Sequence, residues 1–288
     1  MYKLNFKKRV WIVKQHLKGI STSKICLAQN ISRMTISNLI KSYNVFGWDG
    51  LKDHKTGRPE TKLSKNAEII ILDLRKRFGY GACHIEQLLK RKGFGISHRQ
   101  IEKLLLRNDL VKPNIKKQKS RKWVRYELPN PNDMAHTDWT YCPFTGKHLS
   151  VYIDDRTRLI TSFGLFSRAT ANNSIALLKS AIVEYGKPKS VMTDHGPQYY
   201  TNKGDSQVNT QFRIVLNALG IKHYLARVNR PQTNGKVERF FLTYKTEYAT
   251  GSFKNIYDFI KHYNEERIHM RLNYQTPKEV WNELKNVN

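Results

Sequence analysis

The sequence predicts an α+β protein of several domains, with all-α units in its first half and a mixed β-sheet flanked by helices in its second half. Two observations predict this division. Up to residue 111, apolar residues recur at helical spacing between Ser or Thr caps and glycine breaks. From residue 134 onward, short strand-like runs joined by turns are followed by alternating helices and strands, an order that implies a mixed sheet.

The charge of the chain is concentrated in the helical half. The 288 residues include 51 Lys or Arg and 23 Asp or Glu, giving a net charge of +28. Residues 1–128 contain 30 of the basic residues and only 9 of the acidic ones. Such an excess indicates a polyanion partner, with nucleic acid as the first choice. A basic protein that associates with ribosomes or acidic proteins is the alternative.

Several classes of protein are disfavoured by composition. A hydrophobic content of 39% favours a packed core over disorder. No run of eighteen apolar residues occurs, so we expect no membrane span, and the first residues lack the apolar stretch of a signal peptide. The three cysteines are far apart, which disfavours a disulfide framework or a zinc ribbon and predicts small buried thiols in a reducing cytosol.

Residues 1–50 are predicted to form a helix-turn-helix domain. The pattern gives three short helices, with a turn at residues 29–31 and Ser32 as the cap of the third helix. The outer face of that helix carries short polar or basic groups that can reach base edges and phosphates in a major groove. These groups are Arg33, Thr35, Ser37, Asn38 and Lys41. The alternative is a small helical bundle with a solvated face.

Three further segments precede the predicted sheet. Residues 51–63 form a basic linker in which Arg58, held extended before Pro59, can lie in a narrow minor groove, unless the segment is an ordinary flexible linker. Residues 64–111 repeat the plan of three helices and a turn, which predicts a second helix-turn-helix domain. Residues 112–130 have low apolar content and many Lys and Arg, so we expect a connector that orders on a phosphate backbone.

Residues 131–250 are predicted to form the sheet domain, and residues 251–288 a C-terminal helical segment. Strands are expected at 134–141, 148–154 and 159–165, joined as an antiparallel meander. A helix at 172–185 and a strand at 190–193 follow. A helix at 212–219, a strand at 222–225 and a helix from residue 234 complete the domain.

Three acidic residues of this domain are candidates for a metal site. Asp138 lies in the first strand, Asp194 ends the fourth strand, and Glu238 is one turn into the last helix. Carboxylates that meet from distant positions can bind Mg²⁺ through oxygen. Spacing leaves the choice open, because Asp154 and Asp155 also end a strand. Any of these acids can instead cap a turn, or lie at a helix N-terminus because the helix dipole stabilises a negative charge there.

The residues around the three acids resemble the acidic motifs of DDE transposases and retroviral integrases, with insertion-sequence transposases as the nearer relatives. The motifs are Thr137-Asp138-Trp139-Thr140, residues 193–199 (TDHGPQY) and residues 230–239 (RPQTNGKVER). Residues 263–269 with Thr276-Pro277, and the tandem helical units at the front, also resemble that family. The resemblance extends over almost the whole chain.

The resemblance implies a ribonuclease H-like core in which Asp138, Asp194 and Glu238 bind two Mg²⁺ or Mn²⁺ ions. It implies hydrolysis at transposon ends, followed by attack of the freed 3′-hydroxyl on target DNA. The implied partners are double-stranded DNA, as terminal inverted repeats and target, and further copies of the chain in a homodimer or higher oligomer. Lys236 and Arg239 would face DNA phosphates, with simple solvation as the alternative. The implied location is the prokaryotic cytoplasm, at the nucleoid.

Two departures from the family pattern accompany this interpretation. The 43 residues between Asp194 and Glu238 are more than is usual in the superfamily, and the extra length is expected in the polar stretch 201–209, with Asp205 on its surface. The zinc-binding His/Cys module of retroviral integrases is absent from the sequence. Two other functions stay open: a transposase-derived DNA-binding regulator without catalysis, and a ribonuclease H-like nuclease that cuts without joining.

Overall fold

The computed structural model describes residues 4–53, 63–111, 127–201, 210–226, 234–251 and 253–286. The chain forms two compact units, Met1–Lys62 and Leu63–Asn288. This division is coarser than the six segments expected from the sequence, because the second set of helices and the C-terminal segment belong to the same unit as the sheet. The predicted linker around Arg58 and most of the basic connector lie outside the described residues.

The first unit is a helix-turn-helix domain, as predicted. Its helices are α1 (Phe6–Leu17), α2 (Thr22–Gln29) and α3 (Arg33–Phe46). Ile12, Ile25 and Ile36, one from each helix, are at most 1% exposed and form the centre of its core. Asn30 ends α2 in the left-handed conformation, and the Ser32 side chain accepts a hydrogen bond from the first turn of α3. These two residues produce the tight turn between the helices.

The chain beyond α3 stays attached to this unit as far as the structure follows it. A 3₁₀ turn at Gly47–Leu51 follows the helix. From α1, Arg9 donates to the Leu51 carbonyl at 2.9 Å and to Asp53 at 2.6 Å. The first residues of the expected linker are therefore part of the folded domain.

The second unit begins with three helices, again as predicted. They are α4 (Lys65–Phe78), α5 (Ala82–Arg91) and α6 (His98–Arg107). Their core contains Ile71, Ile85, Leu89 and Ile101, all fully buried.

Polar and aromatic contacts fasten these helices to the C-terminal part of the chain. The Tyr80 hydroxyl lies 3.2 Å from His262 Nε2, and the Phe78 ring stacks on the same imidazole with centroids 4.8 Å apart. Arg91 donates to both carboxylate oxygens of Glu279, at 2.9 and 3.0 Å. The second helical set is thus packed into the unit that contains the sheet.

The sheet has five strands in the order β3-β2-β1-β4-β5. The strands are β1 (Ala135–Cys142), β2 (Lys147–Asp154), β3 (Ile160–Phe166), β4 (Ser190–Thr193) and β5 (Lys222–Leu225). The first three form an antiparallel meander, while β4 and β5 run parallel to β1. The mixed sheet expected from the sequence is confirmed.

Helices cover both faces of the sheet. They are α7 (Ala171–Tyr185), α8 (Gln211–Ala218), α9 (Gly235–Thr250) and α10 (Ile256–Lys261). Alternation along β2 separates the two cores. Val151 and Ile153 pack with α9 and α10, whereas Tyr152 points to the core that contains α7 and α8.

The C-terminal segment is built into the sheet unit as well. After α10 come a π-helical turn at His262–Glu266, a 3₁₀ turn at Met270–Leu272 and α11 (Pro277–Asn286). Asn264 accepts a hydrogen bond from Ile160 N and donates one to Ile160 O, both at 3.0 Å. The amide therefore takes up both backbone groups at the start of β3.

Two expectations from composition concern membranes and thiols. Among the described helices, none combines the length and the hydrophobicity that crossing a bilayer requires. Cys26, Cys83 and Cys142 are free thiols. The prediction that all three are buried holds for Cys142 only: Cys26 is partly exposed, and Cys83 is exposed because it falls on the outer side of α5.

Candidate functional site

Asp138 and Asp194 lie side by side because β1 and β4 are parallel neighbours. Ala135 pairs with Val191 and His136 with Met192. Two further residues along each strand bring the register to Asp138 and Asp194, and adjacent strands are about 4.8 Å apart. Both side chains are partly exposed. The sheet topology therefore brings two carboxylates from positions 56 residues apart to one edge.

Glu238 reaches the same edge on α9. Asn234 directly precedes this helix, and its Nδ2 donates to Asp138 Oδ2 at 3.4 Å. Glu238 is one turn further, with its N–H bonded to the Asn234 carbonyl at 3.3 Å. The Glu238 side chain is exposed.

The three acids interact electrostatically. Burial and the negative charge of Asp194, with a further contribution from Glu238, raise the pKa of Asp138 to about 7. Hydrogen bonds from the Trp139 N–H and from Asn234 act in the opposite direction. The pKa of the buried Tyr199 hydroxyl is raised mainly by burial, and the charges of Asp138 and Asp194 contribute to the same shift. Mutual repulsion of this kind is relieved when a cation binds.

The donor chemistry fits a hard divalent cation, although the side chains are not grouped as ligands. In the described part of the chain, no three His, Cys, Asp or Glu side chains are close enough together to hold an ion. Each aspartate is instead bonded locally. Asp138 Oδ1 accepts from Trp139 N at 2.7 Å, and Asp194 Oδ1 accepts from Gly196 N at 2.9 Å. Each carboxylate has further lone pairs beyond these local bonds, so both aspartates can still act as oxygen ligands to a metal.

The rival aspartates have structural partners. Asp154 Oδ1 accepts from Arg156 N, Thr157 N and the Thr157 hydroxyl, so this side chain holds the turn after β2. Asp155 is fully buried, with its Oδ1 2.7 Å from His136 Nε2 and in contact with Lys236 Nζ. Asp205 lies outside the described residues.

The prediction for Lys236 needs a correction. This lysine was expected to face DNA phosphates, but its Nζ contacts the Asp155 carboxylate and donates to the Asp155 carbonyl at 3.2 Å. Only 15% of the side chain is exposed. A buried carboxylate is unfavourable without a cationic partner, which explains why the lysine turns inward. Arg239, by contrast, is exposed on α9.

The predicted DNA-facing residues of the first unit lie on α3. Arg33 and Lys41 are exposed, while Thr35 and Ser37 are partly buried. Arg33 Nη2 donates to Ser23 on α2 at 3.0 Å, and the Thr35 hydroxyl is 2.9 Å from that of Ser32. Asn38 is also exposed. The predicted Arg58 contact lies outside the described residues.

Family comparisons agree with this architecture. Two models described as "Integrase core domain" match residues 129–231 and 219–277, and one described as "Winged helix-turn helix" matches residues 9–68. The chain belongs to the DDE transposases of the retroviral-integrase superfamily. All three residues of the acidic set fall within the span of the integrase core models.

Curated members of the superfamily align with this chain at low identity. A Spiroplasma virus protein described provisionally as an integrase is 30% identical over 150 residues, and the chain covers 41% of its length. The transposase for insertion sequence element IS904 of Lactococcus lactis is 25% identical over 226 residues, covering 69% of this chain and 86% of the relative.

Similar chains also occur among solved structures. A simian T-cell lymphotropic virus intasome chain is 20% identical, with 73% of this chain and 74% of that chain covered at a TM-score of 0.44. The HTLV-2 integrase catalytic core, solved in complex with magnesium, is 20% identical and covers 54% of this chain and 99% of its own, at a TM-score of 0.42.

One group of residues near the site was not found from the sequence. The side chains of His136, Asp155 and Asn234 form a buried hydrogen-bonded chain that ends on Asp138. The available signal was a histidine two positions before Asp138, which a strand places on the same face. The partners of that histidine are 19 and 98 residues away, and no local pattern indicates them.

Proposed function

We propose that this protein is a transposase that binds the ends of its element, cleaves DNA there and joins the freed 3′-hydroxyl to target DNA. The observation that supports this most is the meeting of Asp138, Asp194 and the start of α9 at one edge of the sheet. The family to which the chain belongs makes DNA the natural substrate.

In this proposal Asp138, Asp194 and Glu238 hold two Mg²⁺ or Mn²⁺ ions. When bound, such ions activate an attacking oxygen and stabilise a leaving oxygen at a phosphodiester. The protein contributes the oxygen ligands, and Asn234 restrains the Asp138 carboxylate. Glu238 is exposed, so its side chain has room to turn toward the two aspartates.

The helix-turn-helix unit would recognise the terminal inverted repeats. The exposed Arg33 and Lys41 on α3 have the charge and reach for phosphate and base contacts. Thr35 and Ser37 lie on the same helix and are partly buried, and their short hydroxyl side chains can add further hydrogen bonds to DNA. Arg58 is proposed to lie in a narrow minor groove, and the exposed Arg239 to contact backbone phosphates. Pairing two DNA ends would require at least a dimer of this chain.

A single assay separates this function from its two alternatives. Labelled duplexes taken from both sides of the coding sequence are incubated with the full-length chain, Mg²⁺ and a supercoiled target plasmid. A transposase nicks the duplex at a fixed position and transfers the label to the plasmid. A nuclease gives cut fragments without labelled plasmid, and a regulator only retards the duplex in a gel. Either of these last two results would contradict the proposal.

A further inference from the structure

Asn234 occupies a helix-capping position but does not use its side chain as a cap. Asparagine is favoured before a helix because its side-chain oxygen accepts a backbone N–H of the first turn. No such bond is made at the start of α9. The amide, only 4% exposed, instead donates to Asp138 Oδ2 at 3.4 Å, and its Oδ1 lies 3.3 Å from His136 Nδ1. The side chain therefore links the helix start to β1.

His136 holds the Asn234 amide through its contact with Oδ1. It is fully buried on β1, two residues before Asp138 and hence on the same face of the strand. Its Nε2 lies 2.7 Å from Asp155 Oδ1, and the carboxylate fixes the plane of the imidazole. The other ring nitrogen is left directed at Asn234.

Asp155 is itself held from two further directions. Its Oδ2 accepts from Leu128 N at 2.9 Å, and Lys236 contacts its Oδ1. Lys236 lies two residues after Asn234, so the first turn of α9 is attached twice to this buried assembly. A carboxylate in such a position is stable only while its partners remain in place.

We propose that Asn234, His136 and Asp155 are positioning residues that orient the Asp138 carboxylate, fix the start of α9 relative to β1, and thereby set the divalent-metal affinity of the site. The inference rests on the proposed metal-binding function of Asp138 and Glu238. Hydrogen bonds behind a ligand restrict its orientation, and their loss typically weakens metal binding about 10- to 100-fold.

The test measures Mn²⁺ binding to the full-length chain, without DNA, by isothermal titration calorimetry and by the electron paramagnetic resonance of free Mn²⁺. Asn234→Leu conserves side-chain size and removes both contacts of the amide. His136→Leu breaks the chain one step earlier, and His136→Gln can restore part of it. The matched control is Asp154→Asn, which changes a neighbouring buried carboxylate that holds a turn by accepting from Arg156 N and Thr157 N. Thermal unfolding is recorded for every variant.

We expect the Mn²⁺ dissociation constant to rise about tenfold or more in Asn234→Leu and His136→Leu. The rise should be smaller in His136→Gln, and Asp154→Asn should bind Mn²⁺ like the unmodified chain even if it unfolds at a lower temperature. Unchanged affinity in Asn234→Leu would overturn the positioning role and leave the metal site intact. Equal weakening in Asp154→Asn would also overturn it, by showing a general loss of structure.

A different result would separate the inference from the function on which it rests. If the unmodified chain binds no Mn²⁺ and Asp138→Asn changes nothing, the metal site fails and the positioning role fails with it. If Asp138→Asn abolishes binding while the His136 variants have no effect, only the positioning role is contradicted.

Discussion

Arg267 and Glu247 form a buried, bidentate ion pair that connects the C-terminal segment to α9. Arg267 Nη2 donates to Glu247 Oε1 at 2.8 Å, and Nε donates to Oε2 at 3.0 Å. Glu247 follows Glu238 on the same helix by nine residues, which is about two and a half turns. The helix that carries the third proposed ligand is thus held at its start by Asn234 and near its end by this pair.

Loss of this ion pair should destabilise the second unit. Removing one partner of a buried pair leaves the other charge uncompensated, so Arg267→Ala should lower the free energy of unfolding by about 3 kcal/mol or more. Arg77→Ala is the control, since Arg77 pairs with Asp73 and the two side chains are 46% and 52% exposed, and such a surface pair contributes no more than about 1 kcal/mol. Guanidinium unfolding followed by tryptophan fluorescence measures both. Equal effects of the two changes would contradict the account.

The Asn264 side chain should stabilise the edge of the sheet at the start of β3. Asn264→Ala leaves the buried N–H and carbonyl of Ile160 without partners, which we expect to cost about 2 kcal/mol or more. Asn255→Ala is a matched change in the same segment, because it removes only the exposed cap of α10 and should cost about 1 kcal/mol. Chemical unfolding compares the two variants, and a smaller loss for Asn264→Ala than for Asn255→Ala would be inconsistent with the clamp.

The stability of the fold should decrease in mild acid because of His84. Burial, with the nearby charges of Arg267 and His262, lowers the pKa of His84 to about 4. The unfolded chain binds this proton near pH 6.5, so stability is lost as the pH falls from about 6.5 toward 4. Unfolding titrations at several pH values should show that His84→Phe reduces this slope.

His223 provides an independent check of the same effect. Burial and the charge of Arg213 lower its pKa to about 4 as well. Replacing His223 with Phe should remove a second share of the acid sensitivity, and the two changes should add, since the residues belong to different parts of the unit. An unchanged pH slope in both variants would exclude these histidines as its source.

DNA binding should depend steeply on salt through the first unit. Each phosphate contact contributes about −0.9 to the slope of log K against log salt. Arg33→Ala and Lys41→Ala should each weaken end binding and reduce the slope by about one if that side chain contacts phosphate. Lys179→Ala, on the exposed face of α7, serves as the control. Fluorescence anisotropy across a salt series measures the slopes, and equal slopes in all four proteins would remove α3 from the DNA interface.

Much of this architecture could be predicted because short sequence patterns determine the individual helices, strands and turns. Alternation and turn residues gave the strands, and the cap at Ser32 with the turn at Asn30 gave the helix-turn-helix unit. The adjacency of Asp138 and Asp194 did not follow from the chain order, because the sheet places β4 beside β1 and not beside β3. Glu238 was predicted one turn into α9, where the structure has it, but its choice as a candidate ligand came from the family resemblance.

The contacts that local patterns do not encode were missed. Tyr80 and His262, which join the second helical set to the C-terminal segment, are 182 residues apart. The helical pattern predicts that Lys236 is exposed. In the structure it contacts the buried Asp155, which directly follows β2 and is 81 residues away in the sequence. Asn234 reads as a cap, and only the packing of α9 on β1 shows that its amide is directed elsewhere.

The most direct test of the central claim is cleavage of element-end DNA by Asp194→Asn in Mg²⁺, measured alongside binding of the same labelled duplex. The amide keeps the size of the carboxylate but removes its charge, so the account predicts loss of both cleavage and strand transfer while end binding is retained. Asp154→Asn, at the neighbouring buried turn, should still cleave. Cleavage by Asp194→Asn at the rate of the unmodified chain would contradict the assignment of Asp138, Asp194 and Glu238 as the metal-binding set.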